Sequence, residues 1–375
     1  MNRIQRILQV EIEKRLKPNK VMLVLGARRV GKTIMIKQII ANFTGKVLLL
    51  NGEDSDSLTL LAERSISNYK NLLSGIDLLV IDEAQNVPEI GQKLKLIVDE
   101  IPNIYVIASG SSSFDLLNMT GEPLVGRSQT FYLHPFSQEE LNSVENKLET
   151  RQNLESRLLY GSYPELILLN VQEKKEYLNN IVHSYLLKDI LALDGLRNTS
   201  KMYDLLRLIA FQTGNLVAYD ELGKQLGMSK NTVEKYLDLL SKVFIVYRLG
   251  AYSENLRKEI SKASKWYFYD NGIRNALIGN FSPLALRNDV GQLWESYVIS
   301  ERIKHAKFHL NDANYFFWRT YDGQEIDLLE LENGQINTFE CKWNNAKAKI
   351  PVAFSQAYPQ AIWTAVTREN YLEIL

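Results

Sequence analysis

Residues 26–33 read Gly-Ala-Arg-Arg-Val-Gly-Lys-Thr, a complete phosphate-binding loop, and residues 78–83 read Leu-Leu-Val-Ile-Asp-Glu. Such a loop works only between a buried strand and the start of a helix. There, backbone N–H groups and the helix N-terminus together surround the phosphates. The chain must therefore open with α/β structure on a parallel sheet, covered by helices on both faces. The apolar runs supply that pattern. Strands are expected at 21–25, 47–50, 77–81 and 104–108, helices at 32–42 and 89–100, and a last strand at 129–133 before His134-Pro135. A helix over 3–16 precedes them, with Ile4, Ile7, Leu8, Ile12 and Leu16 on one stripe, and it stops at Lys17-Pro18-Asn19.

Each position in the loop has a chemical reason. Gly26 and Gly31 permit the tight backbone, Lys32 reaches the β- and γ-phosphates, and the Thr33 hydroxyl is an expected Mg²⁺ ligand. The expected nucleotide-binding residues are Gly26, Ala27, Arg28, Arg29, Val30, Gly31, Lys32, Thr33 and Ile34. Ser111, in Ser109-Gly110-Ser111 after the fourth strand, joins them as a group that would sense the γ-phosphate. Asp82 ends its strand as the second expected metal residue. Glu83 beside it can polarise an attacking water, which favours hydrolysis over transfer to an acceptor. Arg127, in Gly126-Arg127, is a candidate arginine finger, and its action from a neighbouring subunit would require a homo-oligomer. The ordinary alternatives are a solvated strand end for Glu83 and a surface ion pair for Arg127. The chain contains no Asn-Lys-x-Asp guanine-reading motif, so ATP is the expected nucleotide.

Composition removes several classes of function. Lys plus Arg (44) equals Asp plus Glu (44), so any basic surface must be local. The single cysteine, Cys341, excludes an internal disulfide framework and a cysteine-rich zinc site. The four histidines, His134, His183, His305 and His309, are scattered, and none pairs with cysteine at metal-ligand spacing. The charged amino terminus lacks a signal-peptide core, and no run approaches the ~20 apolar residues of a membrane span. These features point to a cytoplasmic protein without a membrane partner.

From residue 137 to about residue 213 the periodicity is helical. A helix-turn-helix is expected next, at 220–226 and 230–240 around Gly227-Met228-Ser229, followed by apolar stretches at 243–249 and 266–269 that suit a β-wing. Residues 201–265 hold eleven Lys/Arg and seven Asp/Glu. Ser229, Lys230, Asn231 and Thr232 would meet base edges or phosphates, and Arg257, Lys258, Lys262 and Lys265 would contact phosphates near the wing. A winged module used only for packing is the competing reading.

A second carboxylate site is written into residues 325–342. Asn333-Gly334 is the preferred two-residue hairpin turn, and it sets Asp327 directly opposite Glu340 with Cβ atoms about 4.5–5.5 Å apart. Lys342 projects from the same face. Opposed carboxylates need a cation or a proton between them, and with an adjacent lysine they suit Mg²⁺-dependent phosphodiester chemistry. Glu295, on an expected helix at 291–305, could add a third carboxylate. The alternative is a salt-bridged hairpin in which Glu325 faces Lys342.

Together these residues resemble the AAA-type bacterial and archaeal ATPases that end in a nuclease-like domain of unknown function. The resemblance spans nearly the whole chain. It rests on residues 26–33, 78–85, 108–112 and 126–127, on Gly161-Ser162-Tyr163-Pro164, on residues 269–274, and on residues 293–301 and 318–342. It implies PD-(D/E)xK positions at Glu295, Asp327, Glu340 and Lys342, with Glu340 and Lys342 catalytic and Glu295, Asp327 and Glu340 holding metal. Ile326 stands where that motif usually has proline, and Ser162 where a second glycine is expected. The implied organisation is a P-loop domain (1–136), a helical region (137–213), a winged helix-turn-helix (214–270) and a restriction-endonuclease-like α/β domain (271–375). The implied function is a Mg²⁺-dependent ATPase that couples nucleotide state to DNA binding or processing. The alternative is an ATP-dependent regulatory switch whose nuclease-like domain is an inactive interaction module. A small-molecule kinase is disfavoured by Glu83 and by the added DNA-type module.

Overall fold

A computed structural model describes residues 4–111, 124–186, 199–252, 264–344 and 348–375. The chain divides into two compact units, one of residues 1–136 with 242–244, the other of residues 137–241 with 245–375.

The first unit follows the alternation of its apolar runs. Its elements are α1 (Ile7–Arg15), β1 (Val21–Leu25), α2 (Lys32–Asn42), β2 (Val47–Asn51), α3 (Ser55–Ala62), α4 (Ile66–Leu72), β3 (Leu78–Asp82), α5 (Ile90–Glu100), β4 (Tyr105–Gly110) and β5 (Ser128–Tyr132). All five strands are parallel, in the order β2-β3-β4-β1-β5. Every residue of β1 and β3 is buried, as expected for central strands covered on both faces. Leu8 and Ile12 of α1 are fully buried, so that helix packs through the middle of its expected stripe. Helices α3 and α4 were not expected from periodicity. They are short and set by their caps, with Asp54 accepting from Ser57 N at 2.9 Å and Ser65 from Asn68 N at 3.1 Å.

The second unit begins with helices α6 (Gln138–Asn142), α7 (Lys147–Tyr160), α8 (Val171–Asn180) and α9 (Thr199–Phe211). Strand β6 (Leu216–Val217), helices α10 (Tyr219–Leu226) and α11 (Lys230–Lys242), and strands β7 (Val246–Ala251) and β8 (Ser264–Phe268) follow. Then come α12 (Asn271–Leu277), α13 (Val290–His309), β9 (Asn314–Arg319), β10 (Glu325–Glu332), β11 (Gln335–Cys341), α14 (Val352–Ala357) and β12 (Ile362–Val366). Residues 214–270 and 271–375 share one seven-stranded sheet, β12-β11-β10-β9-β7-β8-β6, because β7 pairs in parallel with β9. Helix α13 crosses it, burying Trp294, Val298 and Ile299 in a core with Tyr267, Phe317, Leu328 and Phe339.

Two segments far apart in sequence are joined at Asp270. Its buried carboxylate accepts from Ser162 N and Gly272 N, both at 2.8 Å. The expected turn at Asn333-Gly334 forms, with φ of 50° and 81°, and pairs Leu328 with Phe339. Both residues take the left-handed conformation that such a turn requires.

Candidate functional site

Strand β1 delivers its last residue, Leu25, directly into the loop. A Cβ on Gly26 would lie 2.1 Å from Leu133 O, so only glycine allows this close approach. Gly31 takes φ of 96° at the start of α2. The helix N-terminus then faces the loop, and Lys32 is its first residue. Lys32 is buried, and its Nζ donates to Gly26 O at 2.8 Å and Ala27 O at 3.0 Å, which holds the ammonium under the loop. The neighbouring Ile34 is 55% exposed and offers an apolar face on the first turn of α2. Arg28 lies 3.9 Å from Glu53.

Strand order explains the rest of the constellation. Because β4 lies between β1 and β3, its C-terminal end falls between the loop and the acidic pair. Thr33 Oγ1 donates to Asp82 Oδ2 at 2.7 Å, and Asp82 Oδ1 accepts from Ser109 Oγ and from Glu83 N. Glu83 has a left-handed backbone, φ 50°, directly after the end of β3. Its Oε2 accepts from Gln85 Nε2 at 2.6 Å, and the same Nε2 lies 3.2 Å from Ser111 Oγ. Gln85 thus ties the carboxylate to the end of β4. Sequence reasoning assigned Gln85 no role. The available signal was its place two residues beyond Glu83, on the short helical turn 84–86.

The structure gathers Lys32, Thr33, Asp82, Glu83 and Ser111, but not Arg127. Arg127 lies just before β5, and its carbonyl accepts from Val21 N at the start of β1. The phosphate loop follows the other end of β1, five residues away along the strand, or about 16 Å. Arg127 is paired with Asp99 at 2.6 Å. A finger acting within the same chain is therefore excluded, because β5 runs parallel to its neighbour β1 and puts this residue at the opposite end of the strands.

The second site departs from expectation in its cation. Asp327 and Glu340 approach across the β10–β11 hairpin, and Asp327 Oδ2 accepts from Cys341 N at 2.8 Å. Lys342 binds Glu340 at 2.6 Å and not Glu325. Glu325 instead pairs with Lys265 and with Arg319. Lys265, expected as a phosphate contact on the wing, is only 2% exposed, so that expectation is corrected. It lies on β8 between β7 and β6, where its strand is buried throughout, and its Nζ also reaches Glu295 at 3.2 Å. Tyr267 OH donates to Glu295 Oε1 at 2.5 Å. Arg257, Lys258 and Lys262 lie outside the described residues.

Electrostatics record the crowding. Burial pushes the Glu295 carboxyl up to about 7, with Asp327 adding to the rise. Asp327 is raised by burial, and Glu340 by burial and by Asp327. Burial alone would depress Lys265, but Glu295 and Glu325 outweigh it and hold the ammonium protonated. One buried cation is shared among more carboxylates than it can neutralise. Glu340 Oε2 is buried and has no hydrogen-bond partner. Asp327 and Glu340 therefore fit a further cation, whereas Glu295 is occupied by Lys265 and Tyr267. Among the described residues, these three carboxylates do not converge as a three-ligand cluster.

Comparison with known proteins gives three consecutive matches. Residues 18–142 match a family model described as an AAA domain. Residues 151–284 and 290–370 match two domains of unknown function, DUF8612 and DUF4143. An uncharacterized protein of Mycobacterium tuberculosis is 26% identical over 328 residues, covering 86% of this chain and 70% of that protein. An uncharacterized protein of Methanocaldococcus jannaschii is 25% identical over 387 residues, covering 95% and 82%. A Walker-type ATPase of Pyrococcus abyssi is 16% identical, covers 72% of this chain and 94% of its own, and superposes with a TM-score of 0.48. No helix among the described residues is long and apolar enough to cross a membrane. Residues 18–142, which hold the phosphate loop and the acidic pair at the end of β3, are thus similar to AAA-type P-loop ATPase domains.

Proposed function

We propose that the chain is a Mg²⁺-dependent ATPase whose nucleotide state controls DNA binding or processing by its second unit. The observation that carries the ATPase part is the run of contacts from Thr33 through Asp82 and Glu83 to Gln85 and Ser111. Thr33 and Asp82 offer adjacent hard oxygens, the donor type Mg²⁺ takes, and they would hold the ion. Bound there, Mg²⁺ supplies charge neutralisation to the phosphate oxygens. Lys32 and the loop N–H groups bind the phosphates, and Ser111 meets the γ-phosphate side. Glu83 accepts a proton from the attacking water, and Gln85 holds its carboxylate in that direction. Arg127 would serve only a neighbouring subunit.

Coupling to DNA rests on the helix-turn-helix formed by α10 and α11, with β7 and β8 as the wing. Lys230 and Asn231 are exposed at the start of α11, where Thr232 N is capped by Ser229 Oγ at 3.1 Å, a geometry that suits phosphate and base contact. Asp327, Glu340 and Lys342 are the candidate cleavage residues of a nuclease-like fold. A second reading is favoured by one observation, the burial of Lys265 against Glu295 and Glu325. In that reading the second unit is an inactive interaction module and ATP sets a regulatory state.

Cleavage of plasmid and linear DNA in Mg²⁺ or Mn²⁺, with and without ATP, decides between them. The Asp327→Ala and Lys32→Ala proteins run alongside. ATP-dependent cutting lost in Asp327→Ala supports processing. Intact ATPase activity without cutting supports the switch.

A further inference from the structure

Two of the four histidines, His305 and His309, stand one turn apart on α13, and Glu139 of α6 lies between them. His305 Nδ1 is 3.0 Å from Glu139 Oε2, and His309 Nε2 is 2.9 Å from Glu139 Oε1. One ligand atom from each of the three lies within 4.8 Å of the others. The imidazole rings are 4.5 Å apart between centroids. We propose that Glu139, His305 and His309 form a binding site for a divalent transition-metal ion of the zinc class.

Ligand chemistry selects the ion. Two imidazoles and one carboxylate suit zinc and disfavour magnesium or calcium, which take oxygen ligands. Ligand atoms about 2.0–2.1 Å from a tetrahedral zinc lie about 3.3 Å from one another, so the two carboxylate–imidazole contacts open slightly, and any wider separation, at most 4.8 Å, closes by side-chain rotation. Three protein ligands leave the fourth position for water.

Placement of Glu139 is not accidental to its own side chain. Its neighbour Gln138 is buried and locked onto α13: its N–H donates to Glu301 Oε2 at 2.5 Å, and its side-chain oxygen accepts from Tyr297 OH at 2.8 Å. Arg157 Nη1 donates to the same oxygen at 2.9 Å. On the other side, Glu140 closes a capping box with Ser137. The residues flanking Glu139 thus fix α6 against α13, and the carboxylate is delivered to the histidine pair from 166 residues away in sequence. Nearby Lys304 is bonded to Glu301 at 2.8 Å, which engages a charge that would otherwise repel a cation.

Two further features favour a cation. The pair sits in the last turns of α13, where the helix dipole presents its negative end. Each ligand is about a third exposed, at 34% for Glu139, 36% for His305 and 37% for His309, so an ion can enter from solvent. Bound metal would clip α6 to the end of α13.

The test is zinc titration of chelator-treated, full-length protein by calorimetry, in excess Mg²⁺ to occupy oxygen-only sites. His309→Ala, Glu139→Gln and His183→Ala proteins run beside it, with circular dichroism to verify folding. The expected result is one saturable zinc per chain, kept in His183→Ala and weakened at least tenfold in the other two. X-ray absorption of the loaded wild type should show nitrogen and oxygen scatterers with two imidazoles and no sulfur. Unchanged affinity in folded His309→Ala and Glu139→Gln, absence of a saturable site, or sulfur ligation would each overturn the proposal.

Discussion

Asp82, the last residue of β3, and Asp327, the third residue of β10, are both carboxylates of a candidate site, yet their surroundings differ in kind. Asp82 is satisfied by hydroxyls and a backbone N–H: Thr33, Ser109 and Glu83 N. Asp327 accepts from one backbone N–H and otherwise faces Glu340 and Glu295 with Lys265 and Lys342. Neutral donors hold a carboxylate in place without competing for a cation's charge. Crowded carboxylates, in contrast, store repulsion that a proton, a lysine or a metal must relieve. The first arrangement suits repeated binding and release of a metal–nucleotide complex. The second is a cluster whose state depends on which cation is present.

The largest effect should come from Lys32→Ala, which removes the buried ammonium under the loop and should abolish ATP binding in a fluorescent-nucleotide assay. Glu83→Gln should lower turnover about 10²-fold or more while ATP still binds. Gln85→Ala should fall between it and the wild type, with kcat reduced and nucleotide affinity kept, because it orients Glu83 without touching the phosphates. Equal kcat in Gln85→Ala would break the link drawn between β4 and the acidic pair.

In the second unit, Lys265→Ala takes the shared cation away from Glu295 and leaves Glu325 paired with Arg319. A loss of about 3–5 kcal/mol in denaturant unfolding is expected. A loss below about 1 kcal/mol would mean that the cluster is already neutralised by protons.

Two smaller, pH-dependent effects have opposite signs on the same helix. At the start of α13, burial opposes the Asp289 charge, but Arg287 and Arg274 outweigh it and hold the carboxyl down at about 2. That stability is present above pH ~4 and is lost as pH falls through about 2, so the destabilisation of Asp289→Asn should vanish over that interval. Glu295 is raised to about 7 by burial and Asp327. Its contribution is present at low pH and lost as pH rises through about 7. Glu295→Gln should therefore match the wild type in melting temperature near pH 5 and exceed it near pH 8.

The nucleotide site was legible because its chemistry is contiguous. A loop, a strand end and their spacing lie within short stretches, and the five parallel strands fell within a few residues of the expected runs. Asn333-Gly334 likewise fixed the hairpin register from two residues. Lys265 was misjudged for the converse reason. In Ser-Lys-Trp-Tyr-Phe it reads as the edge of a basic loop, and its partners Glu295 and Glu325 are 30 and 60 positions away. Only the sheet order β7-β8-β6 buries it. Arg127 could not be placed without knowing that β5 pairs in parallel beside β1. His305 and His309 carried a readable spacing on one helical face, but the carboxylate between them comes from α6.

The decisive measurement is single-turnover ATP hydrolysis by wild type and Glu83→Gln, paired with equilibrium ATP binding by both. Unchanged binding with turnover reduced at least 10²-fold is the expected result, and it would establish Glu83 as the group that activates water. Undiminished turnover in a folded Glu83→Gln protein would contradict that role, and with it the reading of the first unit as an ATPase that works through its acidic pair.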